Sequence, residues 1–148
     1  MNKRIIGISA ISIIIIVSIS LSMNLEGKKN TKNIVFHVTL ASPELYSNEE
    51  FKDKFSIDPG TYFFRFVPNG SSPEILSIKL NGQNYNFSEN FKLKGIPHES
   101  ETSKYFTWKY EGQKNITNNS LKEISIIINP NGNVMGSVSV DIIKKKEA

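Results

Sequence analysis

The sequence predicts an all-β domain, an antiparallel β-sandwich of about eight or nine strands, preceded by one N-terminal transmembrane helix. Three observations predict it. Beyond Asn33 the apolar residues recur with period two instead of 3.6. Turn-forming residues interrupt that alternation every 8–15 residues or so. Ahead of it lies Ile5 to Leu25, a stretch without a single charge.

The apolar stretch comes first. Met1 to Arg4 forms a short leader, and residues 5–25 form the expected signal anchor, with Ile13-Ile14-Ile15-Ile16-Val17 at its centre. The span from Ile5 to Met23 would reach about 28 Å as a helix, close to the ~30 Å hydrocarbon core. A cleavable signal has a shorter apolar region of roughly 7–15 residues. Ser18-Ile19-Ser20 and Ser20-Leu21-Ser22 offer small-x-small sites, so secretion after cleavage is the alternative. A prepilin-type leader needs a basic residue directly before its glycine, and Ile5-Ile6 separate Arg4 from Gly7. Basic residues flank both ends of the span, so the Lys/Arg count does not orient it. The brevity of the leader makes export of the C-terminal body the expectation. Residues 26–32 form a basic juxtamembrane linker, which holds the body close to the lipid bilayer that residues 5–25 enter.

Charge and composition exclude several function classes. The chain has 148 residues, 18 Lys+Arg, 14 Asp+Glu, two His and no Cys. Without cysteine there is no disulfide framework, thiolate metal site, iron–sulfur cluster or thiol nucleophile. The formal charge of +4 resides in the flanks: residues 33–143 hold ten basic and twelve acidic groups, or −2. A mildly acidic body argues against nucleic acid as a partner. The tail, residues 144–148, is basic through Lys144, Lys145 and Lys146 and is read as a solvated end.

Within the body, residues 33–143, each strand is read from its alternation. Ile34, Phe36, Val38 and Leu40 form one apolar face, and Ser47 to Lys54 is read as a helical turn or two capped by Ser47. Asp58-Pro59-Gly60 turns the chain into Tyr62, Phe64 and Phe66. Leu76, Ile78 and Leu80 follow, then Asn81-Gly82 as a type I′ hairpin signal. Tyr85 and Phe87, then Phe91 and Leu93, make further runs. Gly95 to Ser103 is read as the longest loop. Phe106, Trp108 and Tyr110 share the next face, Glu111-Gly112 is read as a second hairpin turn, and Ile124, Ile126 and Ile128 alternate after it. Asn129-Pro130-Asn131-Gly132 leads into Val134, Val138, Val140 and Ile142.

Asp58-Pro59-Gly60-Thr61-Tyr62 resembles the tyrosine corner of immunoglobulin-like sandwiches. The resemblance implies that the Tyr62 hydroxyl bonds back to upstream backbone and fixes the start of its strand. It covers five residues. The family's cysteine two positions on is Phe64 here, and about six strands follow Tyr62 where that family has two. Gly60 to Phe66 is similar to a segment of the lumenal sandwich of GOLD-domain proteins, without their coiled coil and cysteines. Neither resemblance carries a function across, and the expected architecture, an immunoglobulin-like or jelly-roll-like sandwich, rests on the strand count and turn spacing.

The candidate ligand- or partner-binding residues are Tyr105, Trp108 and Tyr110 with His98, Glu99 and Glu101 of the preceding loop. If their strand face is solvent-exposed, it is a stacking platform for sugars or an apolar anchor for a protein. If it is core, the aromatics simply pack. His37 and His98 with Met135 or Met23 form the nearest thing to a copper site, but no pair has ligand-like spacing. No metal, cofactor or catalytic residue is therefore assigned. Asn69, Asn86, Asn115 and Asn118 open Asn-x-Ser/Thr sequons and are possible glycosylation sites if the body is exported. The expected function is a non-catalytic binding or structural accessory in contact with another membrane or envelope protein. A carbohydrate or envelope-matrix binding module using the Trp108 strand is the alternative, and a copper-handling cupredoxin-like protein a distant third.

Overall fold

The computed structural model describes residues 33–120 and 122–146. The leader, the expected transmembrane helix over 5–25, the linker and Met23 lie outside the described residues. Among those that are described, no helix is long and apolar enough to cross a membrane.

Among the described residues nine strands form two antiparallel sheets. In chain order they are β1 (Ile34–Leu40), β2 (Phe51–Ile57), β3 (Gly60–Pro68), β4 (Ile75–Gly82), β5 (Tyr85–Glu99), β6 (Lys104–Glu111), β7 (Asn115–Asn118), β8 (Lys122–Asn129) and β9 (Val138–Lys144). One sheet has the order β1-β9-β3-β7, the other β2-β8-β4-β5-β6. The body is thus an all-β sandwich.

The alternation explains the layering, because every second side chain of a strand points to the same face. Tyr62 and Phe64 of β3, Leu76, Ile78 and Leu80 of β4, and Ile124, Ile126 and Ile128 of β8 are all buried, as are Val138, Val140 and Ile142 of β9. Aromatic rings join the layers: Phe66 of β3 lies 4.7 Å from Phe91 and 5.1 Å from Tyr110, centroid to centroid. Tyr62 donates its hydroxyl hydrogen to the Asp58 carbonyl at 2.8 Å, the backward bond that the corner motif implies.

Four local expectations are corrected. Ser47–Lys54 is not helical: Ser47 bridges Glu50 around Asn48 and Glu49, both at positive φ (50° and 64°), and β2 starts at Phe51. The only helical turn nearby among the described residues is a 3-10 turn, Pro43–Leu45. The β4–β5 hairpin does not turn on Asn81-Gly82. Gly82 pairs with Tyr85, and Asn84 takes the positive φ of 56°. Gly82 is instead a close approach, since a Cβ there would lie 2.7 Å from Cδ1 of Ile124. Glu111-Gly112 is not a hairpin either, because β6 pairs with β5 while β7 crosses to pair with β3. Finally, Gly95–Ser103 is no loop: β5 runs on to Glu99, and only Ser100 to Ser103 turn the chain.

That last correction creates the most distinctive feature. β5 pairs with β4 only from Tyr85 to Lys92, and with β6 from Lys92 to Glu99. Seven residues therefore run past the end of β4, about 23 Å of strand. This ribbon, Leu93–Glu99 with Lys104–Tyr110, forms an arm.

Candidate functional site

Tyr110 and Trp108 share a face of β6 but have different fates. Tyr110 is 1% exposed, and its hydroxyl donates to the Pro73 carbonyl at 2.6 Å. Burial pushes its phenol pKa well above the ordinary tyrosine value. It is a core anchor for the arm's base, which removes it from the contact surface expected of it. Leu93 adds a second tie, its backbone N–H donating to Glu74 at 2.8 Å. Beyond this base every residue from Lys104 to Lys109 is exposed.

Cross-strand pairing decides which arm residues meet. Trp108 lies opposite Gly95, Phe106 opposite Pro97, and Tyr105 opposite His98. The Trp108 indole covers the space that Gly95 leaves: a Cβ there would lie 3.0 Å from Cζ3. A Cβ at Gly70, in the β3–β4 connection, would lie 3.3 Å from Cζ2. The indole thus rests against two glycines and is 36% exposed, while Tyr105 and Phe106 are 54% and 57% exposed. The His98 and Tyr105 rings stack at 4.9 Å, and His98 Nε2 and Thr107 Oγ1 are hydrogen-bonded at 2.8 Å. Lys104 pairs with Glu99 at 2.9 Å, and Lys109 with Glu111 at 3.2 Å. Glu101 is exposed in the turn at the tip. The site residues are therefore gathered on one ribbon, with an apolar face that continues outward from the core through Trp108 to Phe106.

His37 lies elsewhere, on the outer face of the four-stranded sheet, in a cluster not anticipated from the sequence. The Asp141 side chain is 3% exposed between its neighbours on β9's flanks. Arg65 of β3 donates Nη2–H and Nε–H to Oδ2 at 2.7 and 2.9 Å. His37 of β1 lies 2.5 Å from Oδ1 through Nδ1. A carboxylate so held can only accept, so Nδ1 carries the hydrogen. His37 Nε2 stands 3.5 Å from Thr39 Oγ1, which is bonded to Ser139 Oγ at 2.9 Å. The order hydroxyl–imidazole–carboxylate resembles a nucleophilic relay, but Arg65 already neutralises the acid and the cluster lies on an open sheet face. It is a clasp tying β1, β9 and β3 together. No group of three or more His, Asp or Glu among the described residues is placed to hold a metal ion, and Met135 is exposed in the β8–β9 connection.

No family model, curated protein or solved structure matches this chain.

The sequons divide by burial. Asn69, Asn86 and Asn115 are exposed. Asn118 is 3% exposed, and its amide nitrogen donates to the carbonyls of Asp58 and Ser120. The folded domain has no room for a glycan at Asn118, which corrects that candidate. Asn118 instead braces the same Asp58 carbonyl that Tyr62 uses.

Proposed function

We propose that this protein is a membrane-anchored, extracytoplasmic sandwich with a non-catalytic binding or structural accessory role, and that its arm is the surface meeting another membrane or envelope protein. The observation that carries the reading is the exposed run Tyr105-Phe106-Thr107-Trp108 on a two-stranded ribbon. Such ribbons are marginally stable alone, and Tyr105 and Phe106, each more than half exposed, contribute little to folding. Aromatic side chains are the usual anchors of protein interfaces, where they lose little entropy for the area they bury.

Position supports the same reading. β1 begins where β9 ends, Ile34 pairing with Ile143, at the end of the sandwich opposite the arm. Ile34, the first residue of β1, therefore lies at the far end of the domain from the aromatics. In finer detail, β1-β9-β3-β7 facing β2-β8-β4-β5 is the strand order of a jelly roll with β6 added, in preference to an immunoglobulin-like order. A protein partner is favoured over a sugar because Trp108 rests against Gly70 and Gly95 and Tyr110 is buried, which leaves no broad flat platform.

Mild detergent extraction of the tagged full chain from its native membrane tests this. The wild type is expected to retain a stoichiometric membrane or envelope partner that Phe106→Asp loses while keeping its melting temperature. Equal retention by both would overturn the reading.

A further inference from the structure

We propose that the partner at the arm is a second copy of this chain, docked by antiparallel pairing of β6 with β6 about a twofold axis at Thr107. This rests on the arm being a contact surface.

Sheet edges carry unpaired N–H and C=O groups, and proteins that stay monomeric blunt them with bulges, charge, proline or brevity. Here the other edges are blunted. β1 has a register irregularity between Ile34 and Phe36. β2 presents Lys52-Asp53-Lys54. β7 has four residues. The free half of β5 contains Pro97, which has no donor to offer. β6 differs: eight residues in unbroken register with β5, no proline, and the strong strand formers Tyr105, Phe106, Thr107 and Trp108 in its middle. Its two lysines flank that uncharged centre and are each held by a carboxylate of the same ribbon.

The strand is also complementary to itself. Centred on Thr107, antiparallel pairing sets Phe106 opposite Trp108 of the second copy twice, an aromatic pair on the face that continues the core. The other face receives Thr107 against Thr107, with Tyr105 against Lys109 on either side. Aromatic pairs and Thr–Thr pairs are favourable cross-strand neighbours. A one-residue slip in one direction would place Lys104 directly opposite Lys109 of the second copy, like charge against like, and a slip in either direction would set each apolar face beside the other copy's polar one. Pairing in the proposed register joins two five-stranded sheets into one of ten strands and covers the exposed aromatics without any conformational change.

The absence of cysteine makes the test direct. Thr107→Cys is introduced in the full chain, in native membranes, under mild oxidation. Directly opposed residues of an antiparallel pair have the Cα separation a disulfide needs. Asp53→Cys on the charged β2 edge serves as the collision control. The expected result is loss of most T107C monomer to a disulfide-linked dimer while D53C stays monomeric. Monomeric T107C, or equal crosslinking of both variants, overturns the second-copy proposal. Should T107C crosslink instead to a different protein, the proposal falls while the arm remains a contact surface. Failure of the contact reading itself is registered separately, by Phe106→Asp leaving every extracted partner in place.

Discussion

Tyr62 and Asp58 are joined by a 2.8 Å hydrogen bond from phenol to carbonyl, and the Asn118 amide donates to the same carbonyl at 3.0 Å. The corner between β2 and β3 is therefore fixed from two sides, and Tyr62 is wholly buried there. Tyr62→Phe keeps the ring and removes one donor. A single neutral hydrogen bond contributes about 1 kcal/mol net, so denaturant unfolding should show a loss of that size with an unchanged slope. No loss would mean that Asn118 alone satisfies the carbonyl.

Asp141 predicts a second stability effect. It joins three strands through His37 and Arg65, whose own side chains are 59% and 51% exposed. Asp141→Ala breaks both contacts, yet the Arg65 and His37 side chains left behind remain hydrated. The expected cost is about 1–3 kcal/mol, whereas Arg65→Ala, which leaves a buried carboxylate with His37 alone, should cost at least as much. Parallel urea titrations of the two variants check the ranking.

Alkaline pH should unfold the domain. Burial raises the phenol pKa of Tyr46, Tyr62, Tyr85 and Tyr110 above the ordinary value near 10. A folded state that holds these protons more tightly than the unfolded state loses stability as pH rises. The contribution is fully present below pH 10 and declines as pH climbs from there toward the folded-state values. Melting temperature should fall steeply above pH 10, and these phenolates should appear together with loss of β-sheet circular dichroism. Their gradual ionisation in a folded domain would contradict the burial described.

Trp108, the single tryptophan, reports on the arm. Gly95→Val would force the indole away, because the added Cβ would sit 3.0 Å from Cζ3. The variant should show red-shifted, more quenchable emission with little change in melting temperature, since the arm's base at Tyr110 is untouched. An unchanged spectrum would place the indole elsewhere.

Most of the sandwich was legible because its buried faces alternate cleanly, as in Leu76/Ile78/Leu80 and Ile124/Ile126/Ile128. The arm was not, for a physical reason. Phe106, Trp108 and Tyr110 look alike in sequence, yet only Tyr110 lies level with the opposite sheet. Gly95 and Pro97 read as breakers, but a glycine under an indole and a proline on a free edge are both tolerated in a ribbon. The Asp141 clasp joins residues 104 and 76 positions apart, so only the β1-β9-β3 register brings it together. Asn48 and Glu49 hid a tight turn behind what looked like a helix cap, as two left-handed residues seldom include a glutamate.

Photo-crosslinking from position 106 in intact native membranes tests whether the arm meets a partner. A photoreactive phenylalanine replaces Phe106 in the full chain, with the same group at Lys54 on the β2 edge as reference. A contact surface on the arm gives a discrete light-dependent adduct from position 106 and none from position 54. Light-dependent products that are absent from 106, or identical at both positions, would contradict it.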